Sequence, residues 1–271
     1  MKKMFIAILI ILVSSLSIVS SLQHFSKNEP YGVFIGLDSQ DTQKIRGYKT
    51  VVIDAEYFTI ADISKLHSQN NNMVYTYLNV GSLESFRNFY SEFESITLGE
   101  YESWPDERWV DISKPKWKKH IINTAKELSL KGVDGFFLDN IDVYYYFKNP
   151  EIYQGLLSII KDLNDLHKPI IINGGNVFVE EALKNSDLEG LITGINQENV
   201  FTSINFKDGT FHPQNVKTKQ YFLNYLKLCK DFGLQVYLTE YGHNDTTEKE
   251  IHKYCNQKNY NYYISSSIQL N

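Results

Sequence analysis

Residues 132–142 read GVDGFFLDNID. The stretch is a short apolar run, Val133 and Phe136 to Leu138, interrupted by Asp134 and Gly135 and closed by Asp139, Asn140 and Asp142. Apolar side chains on successive rather than alternate positions mark a strand covered on both faces. The residues before it predict a helix. Ile121, Ile122, Ala125 and Leu128 form one apolar stripe, Ser113 is placed to cap it just ahead of Pro115, and Gly132 stands where a C′ glycine would end it. The residues after it predict another, with Ile152, Leu156, Ile159, Ile160 and Leu163 on one face. Helix, buried strand and helix in that order is the repeating unit of a parallel sheet wrapped by helices.

The same alternation runs outward in both directions. Eight candidate strands occur, at 31–36 (YGVFIG), 50–56 (TVVIDAE), 73–81 (MVYTYLNVG), 133–139 (VDGFFLD), 169–174 (PIIING), 190–198 (GLITGINQE), 234–240 (LQVYLTE) and 260–266 (YNYYISS). A further helix carries Tyr221, Tyr225, Leu228, Cys229 and Phe232 and stops at Gly233, and Asp245 followed by Glu248 has the spacing of a capping box opening the last one. Eight strands alternating with helices over about 245 residues predict an α/β fold of the (β/α)8 TIM barrel kind in a single domain, 22–271; a doubly wound open sheet is the alternative. The two differ in where polar residues collect, because a barrel points all its strand C-termini at one mouth. Asp54 and Glu56 end the second strand, and Tyr77 and Asn79 the third, with Glu84 just beyond. Asp139 and Asp142 follow the fourth, Asn173 the fifth, Glu198 the sixth, and Glu240 and Tyr241 the seventh. Acids and amides at so many apolar strand ends cost stability, since each must be desolvated or paired, and their clustering points to a ligand-binding mouth.

The remainder of the chain narrows the function classes. Residues 1–21 (MKKMFIAILIILVSSLSIVSS) pair Lys2 and Lys3 with an apolar run and then small serines, the layout of a secretory signal peptide, with an uncleaved anchor as the alternative. A secreted or cell-envelope location is expected. The chain has 271 residues, 42% hydrophobic and 22% charged, with a net charge of −5. That excludes a disordered chain, and the absence of a basic face argues against nucleic acid. Aromatic residues reach 14%, including 19 Tyr. They suit a surface that stacks on sugars, and an AT-rich coding sequence would raise Tyr and Phe equally well. Trp104 and Trp109 are candidates for such a platform, whereas Trp117 reads as helix packing. Seven His show no ligand spacing, so neither metal nor other cofactor is expected. Cys229 and Cys255 could pair or remain buried thiols. The mature chain is expected to be monomeric and to touch no membrane unless the leader is retained.

Several carboxylates and aromatics at one mouth suit glycosidic bond hydrolysis, in which one carboxylate attacks or activates water and the other protonates the leaving oxygen. Side chains alternate along a strand, so Gly135, Phe137 and Asp139 share a face, as do Gly194, Asn196 and Glu198. With those faces inward, Asp139 and Glu198 meet across the mouth, and the two glycines leave room lower in the barrel.

The strings YLNVGSLESFR (77–87), GVDGFFLDNID (132–142), INGG (172–175), NQENVF (196–201) and YLTEY (237–241) resemble the endo-α-1,4-polygalactosaminidases, glycoside hydrolase family 114. The resemblance runs in matching order from about Tyr31 to Ser266. It implies a (β/α)8 barrel that cleaves α-1,4-linked galactosamine polymers internally with retention, with Asp139 as nucleophile and Glu198 as acid/base. Substrate contacts are expected from Asp54, Glu56, Tyr77, Asn79, Glu84, Asp142, Asn173, Glu240 and Tyr241. The amines of such a polymer would be drawn to Asp54, Glu56, Glu84 and Asp142. Many relatives carry an amide–acid string where Asn173-Gly174-Gly175 stands, and residues 98–109 (LGEYESWPDERW) are individual to this chain, so both segments shape the subsites. Two other readings fit the same residues: a barrel that binds polysaccharide without cutting it, in export or surface assembly, and a glycosidase of different sugar specificity.

Overall fold

The computed structural model describes residues 29–242 and 244–271. The leader expected at 1–21 lies outside them. Eight parallel strands follow one another around a barrel: β1 (Glu29–Phe34), β2 (Tyr48–Ile53), β3 (Met73–Asn79), β4 (Gly135–Asp139), β5 (Ile170–Asn173), β6 (Gly194–Glu198), β7 (Gln235–Tyr241) and β8 (Asn261–Ser265). The eight candidate strands are therefore all present and the open doubly wound sheet is excluded. Between β8 and β1 the ring of Phe34 meets that of Tyr263 at 5.3 Å, and Gly36 donates its N–H to the carbonyl of Leu270 at 3.2 Å.

Helices α1 (Ile60–Ser68), α2 (Pro115–Leu130), α3 (Pro150–Asn164), α4 (Asn176–Lys184), α5 (Val216–Asp231) and α6 (Asp245–Lys258) cover the outside. Among the described residues no helix is long and apolar enough to cross a membrane. Alternation along each strand divides the core. Phe136 and Leu138 of β4, Ile170 and Ile172 of β5 and Ile195 of β6 face the helices. Tyr31, Val33, Val52, Tyr75, Tyr77, Phe137, Ile171 and Tyr237 fill the barrel interior. The two glycines beneath the expected acids do make room, and tyrosine rings occupy it. A Cβ on Gly135 would lie 2.4 Å from the Tyr75 ring, and one on Gly194 would lie 3.1 Å from the Tyr237 ring. Cys229 on α5 and Cys255 on α6 are free buried thiols, each pushed up to about 12 by burial.

Element ends differ from the expectation where a local polar group intervenes. β2 stops at Ile53 because Asp54 accepts the N–H of Glu56 at 3.1 Å and turns the chain into a short 3-10 helix, Ala55–Tyr57. The cap of α2 is Lys114 rather than Ser113, whose hydroxyl bonds Asp111 instead. The cap of α6 is Asn244, which takes the N–H groups of Thr246 and Thr247 at 3.1 Å each. That leaves Asp245 and Glu248 as first-turn acids favoured by the helix dipole rather than as a capping box. Two excursions at the C-terminal rim escaped the sequence reading because their strands are only three or four residues long. A three-stranded antiparallel sheet after β3 is built from Ser82–Glu84, Glu107–Val110 and Thr97–Glu100, and a hairpin after β6 from Thr202–Asn205 and Thr210–Pro213. Both stand over the mouth.

Candidate active site

Strand register places the polar ends at one level. Asn79 is paired with Asp139, Asn173 with Asn196, and Glu198 with Thr239. β5 separates β4 from β6, and its last residue connects the acids on either side. The amide nitrogen of Asn173 donates to Asp139 Oδ1 and to Glu198 Oε1, at 2.8 Å each. Two acceptors at that distance from one nitrogen lie no more than about 5.6 Å apart. The second Glu198 oxygen accepts the hydroxyl of Tyr241 at 2.6 Å. Burial raises both carboxyls above their ordinary range. Asp139 is pushed up to about 8 by burial first and the Glu198 charge second, against the Asn173 hydrogen bond. Glu198 is raised by burial and held back by its bonds from Tyr241 and Asn173. Both shifts favour a shared proton, and the two donors on Glu198 favour placing it on Asp139.

Two more carboxylates flank the pair. Asp142 accepts the N–H of Gly175 at 3.0 Å and is pushed up to about 6, by burial and then, against that bond, by the Glu198 charge. The INGG string has a steric reason here. Gly174 sits at φ +61, and a Cβ on it would come 2.4 Å from Asp142 Oδ2. Glu107 arrives from the sheet after β3, bonded by the Ser82 hydroxyl and by Asn140 Nδ2 at 3.2 Å, and burial pushes it up to about 7. Tyr101, from the same sheet, stacks on Trp109 with ring centres 4.2 Å apart. Its phenol is raised by burial and then by the charges of Asp139, Asp142, Glu107 and Glu198. None of these four carboxylates is ion-paired to a Lys or Arg among the described residues.

The model of the glycoside-hydrolase family GH114 matches residues 25–267. The chain belongs to this family. Its barrel is similar to the glycoside hydrolase domain of PelA from Pseudomonas aeruginosa, with a TM-score of 0.76, 16% identity, and coverage of 89% of this chain and 95% of that one. It is also similar to Aspergillus fumigatus Ega3 solved as a complex with galactosamine, with a TM-score of 0.69, 17% identity, and coverage of 91% and 94%. A more distant likeness, at a TM-score of 0.52 and 11% identity, is to a trehalose-6-phosphate hydrolase of Bacillus licheniformis, covering 80% of this chain and 57% of that one. No curated protein matches. As a GH114 member the protein is a glycosidase.

The remaining expected site residues of this GH114 chain have other partners. Arg87, which follows β3 within the segment 77–87, binds three of them. Its Nε meets Glu84 Oε2 at 2.5 Å, Nη1 meets Glu56 Oε2 at 3.0 Å and Nη2 meets Asp54 Oδ2 at 2.8 Å, and the guanidinium lies between the rings of Tyr57 and Phe86. Asp54 and Glu84 are buried in this cluster, so the expected draw of amines to Asp54, Glu56 and Glu84 is corrected: their charge already has a partner. Tyr77 is buried in the barrel and donates to Glu84 at 3.3 Å rather than lining the mouth. Asn79 ties two loops together, accepting from the Ser82 N–H and from Asn140 Nδ2 at 3.0 Å each. Glu240 is also corrected. At 0% exposure it accepts the backbone N–H groups of Val200, Phe201 and Thr202 and the Thr202 hydroxyl, which pins the turn after Glu198. Trp109 and Trp117 are buried, while Trp104 touches Phe206 across the mouth at 5.8 Å. Glu107, Tyr101 and Asn196 were missed. Residues 98–109 had been marked as individual, and Asn196 shares a strand face with Glu198, so each had a signal.

Proposed function

We propose that the protein is an exported, retaining endo-glycosidase of α-1,4-linked galactosamine-containing polysaccharide, with Asp139 as nucleophile and Glu198 as acid/base. The observation that carries the reading is the single Asn173 amide holding an oxygen of each acid at 2.8 Å. The upper limit of about 5.6 Å that these bonds set between the two oxygens favours the ~5–5.5 Å spacing of retaining pairs over the ~6.5–9.5 Å of inverting pairs. The protein similar in fold that was solved with galactosamine supports an aminosugar. So does the charge of the site, since four carboxylates without a built-in cation favour a substrate that brings its own.

The roles follow from the proton. An ammonium group entering beside Asp139 favours its charged form, and the proton passes to Glu198 as the Tyr241 hydroxyl yields its oxygen. Charged Asp139 then attacks the anomeric carbon while Glu198 protonates the departing oxygen; afterwards Glu198 takes a proton from water, which releases the glycosyl group from Asp139. In this reading the sugar's hydroxyls and amines contact Asp142, Glu107 and Tyr101 beside the pair.

The test is reducing-end release from a panel of α-linked galactosamine, N-acetylgalactosamine and galactose polymers, with Asp139→Asn and Glu198→Gln as controls. Mixed oligomers from partly deacetylated polymer, a slower rate on fully N-acetylated polymer and inhibition by salt are expected. Faster cutting of the fully N-acetylated polymer overturns the electrostatic account. Binding of polymer with no reducing ends released favours a non-cutting polysaccharide binder.

A further inference from the structure

Asn173 has to present its NH2 edge, not its oxygen, to two carboxylates. The two ends of an amide are nearly the same size, so shape alone does not choose between them. The choice is made one strand away. Asn196 Nδ2 donates to Asn173 Oδ1 at 2.7 Å, and the Thr239 hydroxyl donates to Asn196 Oδ1 at 3.1 Å. Every donor in this series points toward the acids: Thr239 to Asn196, Asn196 to Asn173, and Asn173 to both Asp139 and Glu198. Asn196 is 0% exposed and Thr239 1%, out of reach of any sugar.

We infer that Asn196 is a positioning residue for the acid pair, orienting Asn173 so that both amide hydrogens face Asp139 and Glu198, with Thr239 orienting Asn196 in turn. The inference rests on the glycosidase reading for its kinetic consequence but not for its geometry. With Asn196 unable to donate, Asn173 is free to turn, and its carbonyl oxygen then faces two acids that repel it. The Asn173 bonds hold both carboxyls down against burial, so their loss moves both upward.

Asn196→Leu keeps the volume and removes the donor; Thr239→Val removes only the outer hydroxyl, and Thr239→Ser restores it. For Asn196→Leu we expect kcat to fall about 10- to 100-fold, the rate equivalent of a charge-assisted hydrogen bond, with KM within about threefold. Both limbs of the kcat/KM–pH profile should move upward by about half a pH unit or more. Thr239→Val should show a smaller change of the same sign, and Thr239→Ser the native profile. If Asn196→Leu does not fold, Thr239→Val against Thr239→Ser carries the test. A folded variant with unmoved limbs overturns the inference, and so does a rise in KM alone, which would make Asn173 a sugar ligand. Titration of the labelled Asp139 and Glu198 carboxyls by NMR reads the same series without substrate. Raised titrations in a protein that cuts no polymer sustain the positioning role and sink the hydrolase reading. Unmoved titrations in a protein that does cut polymer sink the positioning role alone.

Discussion

Two groups of carboxylates stand at the same rim of this barrel and differ in one respect. After β2 and β3, Asp54, Glu56 and Glu84 surround the guanidinium of Arg87. After β4 and β6, Asp139 and Glu198 share the neutral amide of Asn173, with Asp142 and Glu107 nearby. The first group has a permanent counter-charge, and its three ion pairs to one guanidinium act as a clamp between loops. The second has only dipoles, so burial, with the neighbouring acids' charge at Asp139 and Asp142, raises its carboxyls above their ordinary range. Acid count at strand ends does not distinguish the two. The presence or absence of a built-in cation does.

That contrast is open to direct attack. The largest expected effect is in the unpaired group: Asp139→Asn and Glu198→Gln should each lower kcat by about a thousandfold or more on a cleavable polymer. Neither should lower the unfolding temperature, because each replaces one member of a crowded, desolvated acid pair by a neutral amide of the same shape. A clear loss of stability would make the pair structural. Arg87→Met should do the reverse, costing about 3–5 kcal/mol in denaturant unfolding by stranding buried carboxylates. Adding Asp54→Asn and Glu84→Gln should recover much of that cost, and failure to recover it would mean the Arg87 side chain matters for packing alone. Glu240→Gln should cost about 1–3 kcal/mol, since an amide NH2 would then face backbone donors; calorimetry reads the loss. The smallest effect is on pH. Asp139, Glu107 and Asp142, raised to about 8, 7 and 6, bind more protons folded than unfolded. Their contribution is therefore full below the unfolded carboxylate range and is lost as pH rises from about 4 toward 8. The unfolding temperature should be about 3 °C or more lower at pH 8 than at pH 5, with a shallower fall in Asp139→Asn; a temperature that rises over this interval contradicts the assignment.

The strands were legible because their signal is local. Phe136-Phe137-Leu138 and Ile170-Ile171-Ile172 are apolar on consecutive positions, and glycines or acids end the runs. Asp139 and Glu198 were legible because alternation along a strand puts Asp139 on the face of Gly135, and Glu198 on that of Gly194 and Asn196. The contacts expected of Asp54, Glu84 and Glu240 went astray for one shared reason. Position at a strand end says that an acid is near the mouth, not what it faces. Arg87 lies more than thirty residues along the chain from Asp54, and the turn that occupies Glu240 is about forty residues before it. Trp109 failed as a platform similarly, since its ring is covered by Tyr101 on one side and approached by Tyr146.

Periodicity and strand count were enough to specify a closed parallel barrel and to bring two acids to its C-terminal rim, since both depend on neighbours along the chain. Which acids would be neutralised, which would keep a proton, and which way the Asn173 amide would point depended on residues drawn together from different strands and loops. Ionisation and hydrogen-bond direction are set by the charges and dipoles within a few ångströms, and those distances exist only after the chain has closed on itself.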